Sequence, residues 1–159
     1  MMKRMTELRR RHAIHAIALC GTFGVACGDG PTEVDSITDL AGRWEATSVE
    51  FTVIADPQQT ADIIQEGGAL VLVIEDDGSF RQETTFPGDT EPEIDVGSVR
   101  LAGDSLVFDF GGETVSFAHT LSSEVLTLVG DVELEQGDFG FTSDEFEIPA
   151  RLEMSLHRI

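Results

Sequence analysis

Beyond residue 40 apolar and polar positions alternate along most of this chain, with a period of two. In "LVFDF" one face holds Leu106, Phe108 and Phe110, and in "TVSFAHTL" one face holds Val115, Phe117, His119 and Leu121. The run "FEIPARLEMSLHR" aligns Ile148, Ala150, Leu152, Met154, Leu156 and finally Arg158, with Glu147, Arg151 and Glu153 on the other side. Successive side chains of a strand point to opposite faces of the pleat, so this pattern marks strands with one buried face. Short turn signals separate the runs: "DDGS" at 76–79, "AGDS" at 102–105, "GGE" at 111–113 and "SSE" at 122–124. Tight connections pair neighbours antiparallel, so the strands form a meander. The spacing predicts roughly eight of them, at 42–54, 69–76, 79–86, 94–102, 105–110, 113–121, 124–134 and 145–158.

One segment breaks the pattern. "DPQQTADIIQEGG" offers Asp56 as N-cap, Pro57 at the first helical position and Gly67 just past the end, which predicts a short helix after the first strand with Ile63 and Ile64 inward. A sheet with one apolar face must cover it, and one short helix is too little. Closure of the sheet on itself is the economical solution. The expected fold is therefore all-β: an antiparallel up-and-down barrel of roughly eight strands with one short helix.

The first residues stand outside that fold. "MMKRMTELRRRHAIHAIALCGTFGVACGDG" runs from basic to apolar to small residues, the order of a secretory signal. Its apolar part is shorter than the roughly 20 residues a spanning helix needs. Residues 1–26 are read as a signal peptide, 27–39 as a flexible tether, and 40–159 as one domain. "GVAC" followed by "GDG" resembles the lipobox of bacterial lipoproteins, which would make Cys27 the acylated first residue of the mature chain. That ending implies a periplasmic or outer-membrane lipoprotein, anchored stably because several acyl chains are buried at about 0.8 kcal/mol per CH₂. Ordinary cleavage near Ala26, giving a soluble secreted protein, and a Cys20–Cys27 disulfide in a retained leader are the alternatives.

No cysteine follows Cys27, which excludes a disulfide scaffold, a thiolate metal site and a cysteine nucleophile in the domain. Five of the ten Lys and Arg and one of the thirty acids precede Cys27, so the remainder has 5 basic and 29 acidic residues, a net −24. Such a surface repels nucleic acid and anionic headgroups, both of which need basic clusters. The acid-rich stretches "EDDGS", "PGDTEPEID" and "EQGDFGFTSDEFE" do not reproduce the 12-residue ligand ladder of a calcium loop, and "DDG" is explained by a hairpin in which Gly78 takes a positive φ. No metal and no cofactor is expected.

The chain's one tryptophan lies in "AGRWEATS", where the domain begins. Gly42, Arg43 and Trp44 resemble the Gly-x-Trp start of the lipocalin barrel, and the order of strand, short helix, "GGALVLVIEDDGSF" and a final "LHRI" is similar to the lipocalin-like domains of bacterial secreted lipoproteins, over about residues 40–159. The second lipocalin motif, built around Thr-Asp-Tyr, has no counterpart in a chain without tyrosine. Parity aims Arg158 inward with Leu152, Met154 and Leu156, and an inward charge must find a partner. Trp44 shares parity with Ala46 while Val49, Phe51 and Val53 have the other, so the first strand should change faces near Ser48 through a bulge. The resemblance implies that Trp44 and Arg158 pair to close one end.

A barrel of eight strands has an interior that side chains can fill or that can hold one small ligand. The expected function is non-enzymatic binding of a small hydrophobic ligand, in a monomer, within a cup lined by Phe80, Phe108, Phe117, His119, Leu128 and Met154. The alternative is a filled barrel serving as an interaction or structural module of the envelope. His119 as a catalytic base would need a nucleophile and an orienting group, and the sequence nominates neither.

Overall fold

The computed structural model describes residues 32–141 and 147–159. Cys20, Cys27, the leader and residues 142–146 lie outside them. The described residues form nine strands: β1 (Gly42–Val53), β2 (Thr60–Asp62), β3 (Ala69–Ile74), β4 (Ser79–Thr85), β5 (Glu93–Ala102), β6 (Ser105–Asp109), β7 (Thr114–Ser122), β8 (Val125–Glu135) and β9 (Glu147–Arg158). All pairings are antiparallel. Strands β3 to β9 each pair with the next, and β1 pairs with both β3 and β9, which closes eight strands into a barrel; β2 is a ninth, attached to β1 alone.

Strand β1 makes the closure possible. It meets β9 from Trp44↔Arg158 to Val53↔Ala150, with one register shift between Ala46 and Ser48. The extra residue there, Thr47, turns its hydroxyl to the carbonyl of Ser155, and the inward parity passes from Trp44 and Ala46 to Val49, Phe51 and Val53. A bulge of this kind bends the strand and sharpens its twist. The bend carries β1 away from β3, with which it pairs only from Gly42 to Glu45.

The helix expected after β1 is not formed. Asp56 does open a turn, accepting from the N–H of Gln58, but the chain then extends, and Thr60–Asp62 pairs with Glu50–Thr52. Two physical causes combine. A helix of about ten residues is marginal alone, and the edge of β1 that β3 has left offers unpaired backbone groups. Asp62 then fills the seam. Only 8% exposed, its carboxylate accepts from the Ser48 hydroxyl (2.8 Å) and from the N–H groups of Val49 (3.2 Å), Ile64 (2.9 Å) and Gln65 (3.3 Å). An acid that binds nearby backbone in this way competes with helix formation. Ile63 is buried behind it, Ile64 packs partly against the core, and Gly67 ends the turn at φ 94°.

The strands bury one continuous core. At the end where β1 begins and β9 finishes, Trp44 is fully buried and its Nε1 donates to the Leu40 carbonyl at 2.8 Å. The Arg158 guanidinium carbon lies 4.5 Å from the Trp44 ring centroid, and Nη2 donates to the Asp39 carbonyl at 2.7 Å. In the stretch expected as a tether, the Thr32 N–H donates to the Leu121 carbonyl, Val34 and Ile37 pack against the core, and a 3-10 turn at Ile37–Asp39 leads into fully buried Leu40. This end of the barrel is therefore covered.

Burial by itself would raise the Asp62 carboxyl, but its hydrogen bonds from Ser48, Val49, Ile64 and Gln65 outweigh burial and hold it below the usual range. The folded state thus favours the ionised acid, and this contribution to stability is present above the ordinary carboxylate value and lost as pH falls through the depressed one. Asp62→Ala is expected to cost about 2–3 kcal/mol in a urea titration at pH 7, since several donors lose a charged acceptor. Asp62→Asn should cost less and should flatten stability against pH below about 4.

Candidate functional site

Between the covered end and the opposite one, the inward side chains leave a cavity of about 390 Å³. Its apolar wall includes Phe51, Leu72, Phe108, Phe117, Leu128 and Met154. Two inward glycines shape this wall. A Cβ on Gly97 would lie 2.9 Å from the Phe80 ring and 2.0 Å from the Asp109 carbonyl, and one on Gly130 would lie 2.7 Å from the Phe117 ring. Each glycine thus receives a ring from an adjacent strand. Phe80 in turn meets Phe108 and Phe110 edge-on at 5.1 and 5.2 Å, and Phe108 meets Phe117 at 5.7 Å. The rings brace one another by the edge-to-face geometry that aromatic quadrupoles favour.

Four of the six residues expected in the cup, Phe108, Phe117, Leu128 and Met154, line the cavity. Phe80 and His119 do not: both sit in the half of the barrel nearer Trp44, Phe80 as a brace behind Phe108 and Phe110. The inward position of His119 leaves its buried Nδ1 without a hydrogen-bond partner. Trp44 and Arg158 lie at the covered end, away from the cavity.

The opposite wall is polar. Gln82 and Thr84 of β4 and Glu93 and Asp95 of β5 line the cavity side by side, in the register Gln82↔Asp95 and Thr84↔Glu93. The Gln82 amide donates to the Thr84 hydroxyl at 3.2 Å. The first part of β5 is inverted relative to the rest of the barrel: Glu93 and Asp95 turn inward, while Ile94 and Val96 are 51% and 63% exposed. In the sequence these acids belong to the acid-rich stretch "PGDTEPEID", with Asp95 inside the strand expected at 94–102 and Glu93 just before it. The signal that could have placed them is parity: Val99 is buried and Leu101 partly so, and an unbroken period of two carries that face back to Gly97, Asp95 and Glu93.

Neither carboxylate has an ion-pair or hydrogen-bond partner among the described residues. Burial pushes both acids above their usual range, and at Glu93 the charges of Asp95 and Asp89 push further. Exposed Glu113 and Glu133 also border the cavity and mark its mouth. Near it the β8–β9 connection brings Phe139 over Phe51 at 4.9 Å and beside Phe86 at 6.3 Å. Phe139 has φ 51°, a left-handed conformation costing about 1–2 kcal/mol for a side chain of this kind, and the stacked ring holds it there.

Among the described residues no group of three or more His, Cys, Asp or Glu side chains is placed to hold a metal ion. Compared with models of protein families, with curated proteins and with solved structures, the chain matches none.

The inward acids set a stability trend of their own. Because their carboxyls are raised in the folded state, the fold binds protons there more readily than the unfolded chain, so stability falls as pH rises from about 4 through the raised values. The double variant Glu93→Gln, Asp95→Asn should unfold at higher temperature than wild type at pH 7, by less than about 1 kcal/mol because both groups retain solvent contact. Thermal unfolding at pH 4 and pH 7 checks this: the gain should shrink at the lower pH.

Proposed function

We propose that this protein is a non-enzymatic, lipocalin-like carrier that holds a small, largely apolar molecule inside the barrel and is tethered to the periplasmic side of the cell envelope through acylated Cys27. The observation that carries the binding reading is the cavity. Its volume of about 390 Å³ lies in the range of small-molecule pockets, roughly 300–1,000 Å³. The wall has the composition such pockets have, braced aromatic rings and aliphatic side chains with a few polar groups on one side to orient the occupant. A barrel filled by its own side chains, acting only through its outer face, would not keep this space.

The anchor reading is supported by the order of the first 30 residues and by "GVAC" before Gly28. Trp44 and Arg158 serve as the closing pair in this reading, and ligand enters past Glu113 and Glu133 at the other end.

Two measurements test these points. A neutral apolar fluorophore, N-phenyl-1-naphthylamine, should gain emission on mixing with the protein. Val132→Trp, which places an indole in the cavity from a partly exposed position, should reduce that affinity at least about tenfold, a loss of about 1.4 kcal/mol, with the circular dichroism of the sheet retained. Absence of any fluorophore binding to the wild type would count against the carrier. For the anchor, Cys27→Ser should move the protein from the membrane fraction to the soluble periplasmic fraction; unchanged fractionation would count against acylation.

A further inference from the structure

The polar wall narrows the class of ligand, on the premise that the cavity is a binding site. We propose that the cavity selects amphiphilic cations, small molecules with an alkyl or aryl body and one ammonium group, which Glu93 and Asp95 hold against the apolar wall.

The charge lining the cavity is of one sign. Glu93 and Asp95 stand in the wall and Glu113 and Glu133 at the mouth, and among the described residues no Lys, Arg or His lines it. Clefts with charge of one sign and low-dielectric walls focus the field and draw in the opposite sign. A carboxylate or phosphate ligand would meet four like charges there. A neutral apolar ligand would leave Glu93 and Asp95 without a counter-charge next to hydrocarbon. An ammonium group supplies the missing partner, and charge-assisted hydrogen bonds of this kind are about twice as strong as neutral ones.

The inverted strand makes the acid pair a built feature of the wall. Ordinary patterning of "EIDV" would bury Ile94 and Val96 and expose both acids; here the two apolar side chains are on the surface and the acids are inside. Folding gives up apolar burial and takes on a desolvation cost at the same four positions. The register fixes where the charge lies. Asp95 is opposite Gln82, and Glu93 is opposite Thr84, so the acids share a polar strip with two groups that can also bind an ammonium N–H. Apart from Glu113 and Glu133 at the mouth, the rest of the lining is Phe, Leu, Ile, Val and Met, suited to the body of the ligand.

The test uses three ligands of one shape: octylamine, octan-1-ol and octanoate, titrated calorimetrically into the folded domain at pH 7.5, where an alkylamine is protonated as a lysine side chain is. Octylamine should bind at least about tenfold more tightly than octanol, with octanoate weakest. In Glu93→Gln, Asp95→Asn the ratio of amine to alcohol affinity should fall to within about twofold. That variant removes only two of the 29 acids of the chain after Cys27, so loss of the preference reports the pair and not the net charge. Glu93→Gln alone should give an intermediate ratio, and thermal unfolding verifies that each variant is folded. Equal binding of amine and alcohol by the wild type would overturn the proposal while leaving the carrier intact. A preference that survives in the double variant would overturn it as well, by assigning the attraction to the acidic surface. Binding of none of the three would overturn both the proposal and the carrier on which it rests.

Discussion

The seam between the first and last strands is what every other part of the molecule depends on. Until β1 meets β9, the meander is an open sheet with an uncovered apolar face and two unpaired edges. The pairs from Trp44↔Arg158 to Val53↔Ala150 convert it into a barrel whose core is its own interior. Strand β1 can do this only because Thr47 is inserted as a bulge, which lets one strand present Trp44 inward near its start and Phe51 inward near its end while bending between two neighbours. The bend has a consequence at the opposite edge of β1, where contact with β3 ends after Glu45. Strand β2 and the Asp62 carboxylate occupy that gap and give Ser48 and Val49 their hydrogen-bond partners.

The two ends of the barrel are built differently. At one, an indole and a guanidinium meet the backbone of residues 39 and 40: Trp44 donates to Leu40, Arg158 Nη2 donates to Asp39, and the charge lies over the ring. A cation–π contact at a partly desolvated site contributes about 0.5–2 kcal/mol, which offsets the cost of the buried Arg158 Nε, left without a hydrogen-bond partner among the described residues. At the other end the side chains leave space, the acids at the mouth are exposed, and Phe139 is held in a strained conformation by stacking on Phe51.

Within the cavity the balance runs the other way. Asp62, in the seam of β1 and β2, and the cavity pair Glu93 and Asp95 are all acids partly withdrawn from water, and their environments push them in opposite directions. Asp62 is surrounded by donors and is held ionised; Glu93 and Asp95 have no donor among the described residues and resist ionisation. One acid contributes to the fold at neutral pH, and the other two detract from it. The difference lies in the donors: hydrogen bonds offset the desolvation of the Asp62 carboxylate, and no such bonds offset it at Glu93 and Asp95 among the described residues.

Much of the architecture was legible before any coordinates, and for a definite reason. Alternation of period two and short turn segments are local properties, so the barrel strands predicted at 42–54, 69–76 and 79–86 fall within two residues of β1, β3 and β4, and the parity change near Ser48 marked the bulge. The helix was misread because Asp56, Pro57 and Gly67 are local signals as well, and they cannot report that an unpaired edge of β1 lies within reach. The candidate site divides along the same line. Phe108, Phe117, Leu128 and Met154 could be placed on the inward face from their own strands, whereas depth along the barrel separates them from Phe80 and His119, and depth depends on tilt and stagger between strands. The sequence by itself determined the eight strands of the barrel and the alternation along each, because these follow from the pleat of a single strand. Only the tertiary structure decided that Glu93 and Asp95 face hydrocarbon across a cavity, because that requires the register of β4 on β5 and the closure of β1 on β9.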